Sequence, residues 1–345
     1  MSTLEATLTA GPGQPGQSGQ PEHRQDVSAM ARLKRIASMR ETGLIVIIAI
    51  LFIVMSFASP YFLTWVNMRA MTMAFAVEGI VVVGMTILLI SGGIDLSVGS
   101  VVTFAMVLAG WLFLNGVDPW TASAITIVAC AGVGGAMGWC VTRIGLHHFI
   151  VSLAFMVIAR GACLLITQGR PLGLYTLPAE FKFIGQGAIG PVPFVIILFV
   201  VLVIVFDFML RRTTIFRKVF YTGSNEKAAA YSGIRTKKVV FLSTVLCSTL
   251  CGIAGVIYMA RFASAPPHFG LGMELNVIAA AVIGGASLNG GVGTILGAIL
   301  GAVLLSVVTS SLALLDVSVY WQDIIRGSIL LAAVSFDHML NKKKA

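Results

Sequence analysis

Long apolar runs, such as Leu44–Phe57 and Phe194–Phe208, limit what this chain can fold into. Hydrophobic residues make up 57% of the 345 residues and charged residues only 11%, against roughly 25% charged residues in a soluble domain. A soluble globule cannot bury that much apolar surface. A helix crosses a bilayer with about 20 apolar residues, so the sequence predicts a polytopic helical membrane protein.

The predicted fold class is an all-α bundle with about ten transmembrane spans. An outer-membrane barrel is excluded because its strands alternate in polarity, whereas these runs are continuous. The short segment 273–285 either extends into its glycine-rich neighbour or forms a re-entrant half-helix. The ten predicted segments are about 43–59, 69–90, 95–114, 119–139, 148–168, 193–210, 239–260, 273–285, 292–314 and 319–338.

The two ends of the chain are predicted to be polar tails that flank a transmembrane domain over 43–340. Residues 1–42 contain the Gly/Pro/Gln-rich run Gly11–Pro21, which is typical of disorder, and then a basic stretch. The first apolar run lacks a cleavage site at a suitable distance, so we expect an uncleaved span. Residues 341–345 form a short basic tail.

The distribution of lysine and arginine predicts the orientation. With ten spans and the N-terminus inside, most of the 23 basic residues lie in the tails and in inside loops, chiefly 211–238. The positive-inside rule then places both termini in the cytoplasm. The net charge of +9 follows from this topology. No nucleic-acid partner is predicted, because the basic residues flank membrane segments and are not interleaved with aromatic residues.

A short glycine-rich element occurs twice. Gly92–Gly99 and Gly284–Gly291 share the pattern GGxxLxxG at an offset of 192 residues, and each follows one apolar run and begins another. Duplicated halves with broken helices at matching positions are common in transporters. The alternative is that glycine-rich turns simply recur in membrane proteins.

The polar segment 211–238 contains a predicted short helix. Asn225 suits the N-cap, Glu226 favours the first turn, Lys227–Tyr231 has helix propensity, and Gly233 suits the C-terminal stop. So short a helix is marginal alone in water and needs a partner surface. The small side chains of Ala228 and Ala229 allow close approach to another protein; the alternative is an ordinary interfacial loop.

Five stretches resemble the ribose/xylose/arabinose-type permeases of bacterial ABC importers, over about residues 43–340. The loop Gly223–Ile234 resembles the GxNxxAAxxSGI cytoplasmic loop of that family. The other four are GGIDLSVG (Gly92–Gly99), GMELNVIAA (Gly272–Ala280), IGGASLNGGVG (Ile283–Gly293) and LALLDVSVYWQ (Leu312–Gln322). The sequence departs from the family pattern at Val292 and at His147–His148, which affects substrate identity and local loop contacts.

The resemblance implies a permease subunit of the inner membrane with no catalytic residues of its own. It implies a homodimer, a separate ATP-binding ABC subunit that docks onto the cytoplasmic loops, and a periplasmic binding protein that delivers a monosaccharide or polyol. Segment Asn225–Ser232 is then the coupling helix. The implied ATPase-coupling residues are Gly223, Asn225, Glu226, Ala228, Ala229, Ser232, Gly233 and Ile234.

The chain carries no recognisable cofactor or energy-converting motif. There is no GxxxxGK[ST] phosphate loop, so any ATP must be bound by another subunit. The glycine cluster 132–138 lies within a span and lacks a preceding strand, which favours helix packing over dinucleotide binding. The five cysteines lie in apolar runs without a CxxC pattern or a histidine at ligand spacing, so no metal site is predicted.

Charged residues at membrane depth are few and costly. Arg160 either faces the substrate path or pairs with an acid, and Asp207 is expected to pair with Arg211 four residues on. The carboxylate of Asp95 is expected to cap the following helix near Val98, with gating as a consequence. The candidates for the translocation path or gating are Glu78, Asp95, Ser97, Arg160, Glu274, Asn276, Ser287 and Asn289.

Other functional classes stay open at this point. An ion-coupled secondary transporter needs an ion site at depth, for which Glu78 and Asp95 are candidates. An ABC permease for branched-chain amino acids shares the architecture but carries another cargo. An intramembrane enzyme is disfavoured, because the spans lack the paired acids or histidines that acid–base or metal chemistry needs.

Overall fold

A computed structural model describes residues 40–342 of the chain and the side chains of residues 41–335. Most of the predicted N-terminal tail, and the predicted C-terminal tail beyond residue 342, therefore lie outside the described residues. The helices are α1 (Arg40–Ala58), α2 (Trp65–Ile90), α3 (Val98–Leu114), α4 (Pro119–Trp139, continued by a π-helical turn Cys140–Ile144), α5 (His148–Thr167), α6 (Ala179–Gln186), α7 (Phe194–Arg212), α8 (Thr214–Ser224), α9 (Glu226–Tyr231), α10 (Thr236–Phe262), α11 (Met273–Ile283), α12 (Ile295–Leu314) and α13 (Val319–Lys342).

Four two-residue strands interrupt the helical structure. Strands β1 (Leu172–Gly173) and β4 (Ser264–Ala265) pair antiparallel, and so do β2 (Ala188–Ile189) and β3 (Val192–Pro193). The first pair joins the segment after α5 to the segment after α10, with Leu172 opposite Ala265. These strands are too small to change the fold class, which is that of a polytopic helical membrane protein.

The helices agree with the predicted segments in position but not all in length. Each of the ten predicted apolar segments contains a helix, yet over residues 40–342 only seven helices are long and apolar enough to cross a membrane. The expected count of ten is therefore not met on that criterion. Helix α3 has 17 residues and α11 has 11; at 1.5 Å per residue, α11 is about 16 Å long and cannot cross alone.

Helices α2 and α10 form the centre of the bundle. Most residues of α2 are buried, and α10 packs against α2, α3 and α4. Helix α12 packs on α11 and α2, and α1 packs on the outside of α12. The long apolar faces that remain exposed on α1, α5 and α7 are those expected of lipid-facing helices.

Both copies of the glycine-rich element end a helix in the same way. Turn 1 (Ser91–Ser97) follows α2, and turn 2 (Gly284–Thr294) follows α11. In turn 1 the amides of Gly92 and Gly93 donate to Leu89 and Leu88, and Gly92 has φ +89°. These are the two hydrogen bonds of a Schellman C-cap, which requires a residue with positive φ.

Turn 2 repeats this cap with a shifted register. The amides of Gly285 and Ala286 donate to Val282 and Ala281, and Gly285 has φ +102°. Gly285 is therefore equivalent to Gly92, so the structural offset is 193 residues and not the 192 expected from the glycine pattern. Turn 2 is also longer, with eleven residues before the next helix against seven in turn 1.

Glycines allow the helices to approach closely at several crossings. A Cβ added at Gly297 or Gly301 of α12 would overlap the backbone carbonyl of Gly284 or Ala280 on the α11 side. In α4, a Cβ at Gly134 or Gly138 would crowd α10. The packing role predicted for the glycine cluster 132–138 is confirmed for Gly134 and Gly138. All four glycines agree with the preference for small residues at membrane helix interfaces.

We predict that Gly301→Ala destabilises the protein, because the new methyl group would meet the Ala280 backbone. Overpacking of this kind costs about 1–3 kcal/mol, enough to offset the higher helix propensity of alanine. Gly132→Ala is the matched control, since an added Cβ there has no atom within 4 Å. Thermal unfolding in detergent should show a lower midpoint for Gly301→Ala only; equal midpoints would contradict close packing at this crossing.

Candidate functional site

Two consecutive helices, α8 and α9, form the loop between α7 and α10. Asn225 separates them with an extended backbone (φ −160°, ψ 100°), and its side-chain oxygen accepts a hydrogen bond from the Ala228 amide at 3.0 Å. The predicted N-cap is confirmed, as is the ion pair Asp207–Arg211 at 2.8 Å, which precedes α8. Helix α8 was not predicted, although its regularly spaced apolar residues carry a helical signal.

Helix α9 ends as the sequence predicts. Gly233 has φ +81°, its amide donates to Ala230, and the Ile234 amide donates to Ala229. This is a third Schellman cap. The Ser232 hydroxyl also donates to the Ala228 carbonyl at 3.0 Å. Both ends of this short helix are thus fixed by hydrogen bonds within residues 225–234.

The two faces of α9 differ in exposure. Ala229 is only 5% exposed and packs inside the chain, whereas Ala228, Lys227 and Glu226 are exposed. Of the two alanines expected to approach another protein, only Ala228 is on the free side. Tyr231 is 92% exposed, and sequence reasoning did not single it out as a contact residue.

The C-terminal end of α8, just before α9, touches both turns through a cluster of glycines that we call the glycine junction: Gly92, Gly223, Gly290 and Gly291. A Cβ added at Gly223 would overlap the Ile90 carbonyl oxygen and lie 2.6 Å from the Gly291 amide nitrogen. A Cβ at Gly290 would lie 2.8 Å from the Gly223 carbonyl oxygen and 3.1 Å from the Gly92 Cα. The backbones of α8, turn 1 and turn 2 therefore meet without intervening side chains.

One hydrogen bond fixes turn 2 to the end of α2 at this point. The Gly291 amide donates to the carbonyl oxygen of Ile90, the last residue of α2, at 2.8 Å. Gly290 and Gly291 have φ +84° and +75°, a conformation that other residues rarely adopt. Glycine is thus required at the junction both for backbone conformation and for space.

A cleft of about 550 Å³ lies beside the junction. Turn 1, the stretch Val141–His148 and the α8–α9 connection line it. At its wall, a ring nitrogen of the buried His148 lies 2.7 Å from the Ile94 carbonyl oxygen, and the other lies 3.0 Å from the Thr244 hydroxyl. His148 therefore joins turn 1 to α10, while His147 is exposed.

Asp95 lies buried in turn 1 but does not cap α3. One carboxylate oxygen accepts hydrogen bonds from the Ser97 amide at 2.7 Å and from the Ser97 hydroxyl at 2.6 Å. The expected cap near Val98 is wrong, because Asp95 lies two residues before the N-cap Ser97 and its side chain reaches only that residue. Both hydrogen bonds of Asp95 thus stay within turn 1.

Glu78 and Asn276 come together in the bundle. Both Asn276 and Arg326 of α13 are close enough to Glu78 to interact with its carboxylate. Arg326 also pairs with Asp323 at 3.1 Å. The group connects α2, α11 and α13, and thus the helices that lead into both turns.

Arg160 and Glu274 line one cavity of about 400 Å³, with Met156, Val157, Gly161, Leu164 and Leu271. The guanidinium of Arg160 donates to the carbonyl oxygens of Phe269 at 2.8 Å and Pro267 at 3.4 Å. Among the ion pairs of residues 41–335, none includes Arg160, so of the two alternatives for Arg160 the acid partner is not found there. A buried oxygen of Glu274 has no hydrogen-bond partner.

The remaining two candidates lie in turn 2. Ser287 is buried, and its hydroxyl oxygen accepts a hydrogen bond from the Asn289 amide at 3.3 Å. The side chain of Asn289 is exposed. The eight path candidates therefore fall into local groups, and no hydrogen bond among the described side chains joins Glu78, Asp95 and Glu274 to one another.

No cofactor site emerges from the described part of the chain. Within residues 41–335, there is no group of three or more His, Cys, Asp or Glu residues that could hold a metal ion. The five cysteines, all in this range, are free thiols.

Comparison with known proteins identifies the family. A family model described as "Branched-chain amino acid transport system / permease component" matches residues 67–334. The chain belongs to this permease family. The membership predicted from the five motifs is thereby confirmed, and no solved structure matches the chain.

Curated relatives align over nearly their full length. The ribose import permease protein RbsC of Bacillus subtilis is 33% identical over 307 residues, which cover 89% of this chain and 94% of the relative. The L-arabinose transport system permease protein AraH of Escherichia coli is 35% identical over 305 residues (88% and 92%). The D-allose transport system permease protein AlsC of Escherichia coli is 33% identical over 304 residues (87% and 92%).

These findings establish the class of protein. The chain is an ABC transporter permease subunit, a multi-pass protein of the inner membrane, and its family leaves ATP hydrolysis to a separate subunit. The absence of a phosphate loop from its sequence agrees with this division of labour.

Proposed function

We propose that this permease imports a monosaccharide or a related polyol that a periplasmic binding protein delivers. Support comes from three relatives named for ribose, L-arabinose and D-allose. The branched-chain amino-acid cargo in the family description is the alternative. The shortage of charge at membrane depth favours a neutral solute, because an amino acid brings two charges that need partners in the low-dielectric interior.

The observation that carries the ATP-driven part of the proposal is the structure of α9. A helix of six residues is too short to be stable in water by itself, yet here both ends are capped and one face is buried on the chain. The other face presents Lys227, Ala228 and Tyr231 to the outside. Such a rigid, projecting helix suits insertion into a groove of the ATP-binding subunit, as the coupling helix.

Movement of α9 then reaches the membrane through the glycine junction. Because Gly223 contacts the end of α2 and Gly291 of turn 2 by backbone atoms, a displacement of α9 is not absorbed by side-chain rotation. Turn 1 leads into α3 and turn 2 into α12. Closure of the ATP-binding subunits would thus tilt α3 and α12 together, because each begins at one of the two turns. This tilt would change the side of the membrane to which the substrate path is open.

The topology follows from the same proposal. We infer that α3, the α11–turn 2 element and α13 also lie in the membrane beside the seven long helices. Ten membrane elements then keep both termini and the loop 211–238 in the cytoplasm, in agreement with the positive-inside rule.

Two copies of the permease form a homodimer that encloses the path. The eight polar candidates act in the path or as gates, with Arg160 and Glu274 facing one cavity.

An ion-coupled mechanism is the rival. It needs an ion site at depth, and Glu78 with its neighbour Asn276 is the candidate that the structure offers.

The decisive experiment is uptake into proteoliposomes that contain this permease, its ATP-binding subunit and its binding protein. We expect uptake of labelled ribose, arabinose or allose with internal ATP and an ionophore present. Uptake that stops with the ionophore while ATP persists would favour the rival.

Tyr231 provides a test of docking. We predict that Tyr231→Ala lowers the affinity of the permease for its ATP-binding subunit at least tenfold, because a large exposed aromatic side chain is the typical anchor of an interface. Tyr175→Ala is the control, since Tyr175 is also highly exposed, at 85%, but lies near β1. Binding in detergent by biolayer interferometry measures the effect. Equal affinities for the two variants would remove Tyr231 from the interface.

Gly223 provides a separate test of transmission. We predict that Gly223→Ala lowers solute uptake per ATP hydrolysed at least tenfold, because a Cβ forces the α8 end away from Ile90 and Gly291. Binding of the ATP-binding subunit should be retained, since the exposed face of α9 is unchanged. Gly132→Ala should couple normally. Wild-type coupling by Gly223→Ala would show that the junction does not transmit the motion.

A further inference from the structure

Two grooves adjoin the N-terminal end of α10, and the first also reaches Gly233, just after α9. The first, of about 700 Å³, lies between α8 and α10 and reaches α2. Its wall is almost entirely apolar, with Phe216 and Val219 from α8 and Leu242 and Leu246 from α10. A smaller groove of about 580 Å³ lies on the other side of the α10 start, against the end of α4.

The first groove has the length and position of a lipid acyl chain. Its α10 residues extend from Arg235 to Thr249, which is about 21 Å along a helix axis at 1.5 Å per residue. One leaflet of the hydrocarbon core is about 15 Å thick. Because α10 is one of the candidate membrane spans, the groove begins at the edge of the membrane and continues through one leaflet.

Cations gather where the grooves begin. Lys218, Arg235 and Lys238 line the first groove, and Arg143, Lys237 and again Arg235 and Lys238 line the second. No aspartate or glutamate is among the residues of the described chain that line either groove, and none of these cations belongs to an ion pair there. Trp139 lies in the second groove, at the depth where indole rings favour the membrane interface.

From this arrangement we infer that the first groove is a binding site for an anionic phospholipid. The phosphate of the headgroup is held by Lys218, Arg235 and Lys238, and one acyl chain lies along the apolar wall of α8 and α10. Basic pockets between transmembrane helices recognise anionic headgroups in this way. The bound lipid would fill the space beside α8, which carries Gly223, and would stabilise the loop against the membrane.

The alternative occupant is the apolar surface of a second permease copy. It explains the apolar wall but not the unpaired cations, because a copy that brought its own basic residues to the same place would be repelled. A headgroup phosphate accounts for both features. This inference does not depend on the cargo or on the proposed docking role of α9.

The test uses full-length permease purified in detergent and exposed to equal amounts of phosphatidylglycerol and phosphatidylcholine, with bound lipid counted by native mass spectrometry. We expect preferential retention of phosphatidylglycerol. The combined change Lys218→Gln, Arg235→Gln and Lys238→Gln should lower that preference by about tenfold to a hundredfold, because each cation near an anionic surface contributes about fivefold. A control triple, Arg212→Gln, Arg217→Gln and Lys227→Gln, removes the same charge from the same loop outside both grooves.

A second variant tests the acyl-chain wall without touching charge. Leu242→Trp fills the groove and should reduce retained phosphatidylglycerol while the monomer-to-dimer ratio in the same spectra stays unchanged. Equal lipid preference in the wild type and the groove triple would overturn the inference, as would an equal loss in the control triple. A Leu242→Trp variant that becomes monomeric with unchanged lipid binding would assign the groove to a second copy.

Discussion

The close approach of three backbone segments at Gly223 is the contact on which the account of this permease depends. At that point the end of α8, the end of α2 and turn 2 meet with no side chain between them. Side chains at an interface change rotamer and absorb small displacements. A backbone-to-backbone contact transmits them, because peptide units are rigid and their hydrogen bonds are directional. In the proposed mechanism, the loop, turn 1 and turn 2 therefore behave as one mechanical unit.

The membrane explains why the turns have the form they do. Within a bilayer every backbone polar group must find a partner in the protein, so a helix that stops there needs a self-contained end. The Schellman caps after α2 and α11 provide it, and a further hydrogen bond joins Gly291 to Ile90. Asp95 serves the same purpose in turn 1 by accepting the amide and the hydroxyl of Ser97. The hydrogen bonds that end these helices are thus the same ones through which the motion of the loop would be transmitted in the proposed mechanism.

Local signals in the sequence predicted local structure well. The N-cap at Asn225 and the stop at Gly233 followed from the chemistry of single residues and their neighbours, and both are confirmed. Helix α8 was missed because its basic and polar residues are equally typical of an exposed loop, although its apolar residues recur at helical spacing. The offset between the two glycine-rich turns was wrong by one residue. Gly284 is the C-cap of α11, and the residue at the equivalent position after α2 is Ser91 and not Gly92.

The parts that the sequence did not predict are those set by tertiary contact. The burial of Ala229 and the exposure of Ala228 depend on which side of α9 faces α8 and α10, and two adjacent alanines carry no signal for that choice. The glycine junction joins residues up to 199 positions apart, from Gly92 to Gly291. Arg160 bonds to the carbonyls of Pro267 and Phe269, partners that no pattern of charged residues reveals.

Hydrogen–deuterium exchange on the permease, with and without its ATP-binding subunit, tests the central claim most directly. If α9 and the two turns move as one unit, binding of the subunit should slow exchange in α9 and also in residues 91–97 and 284–294, because local opening of the turns is coupled to the loop. The segment 315–318 between α12 and α13 should be unaffected. Protection confined to α9, with unchanged exchange in both turns, would contradict the account.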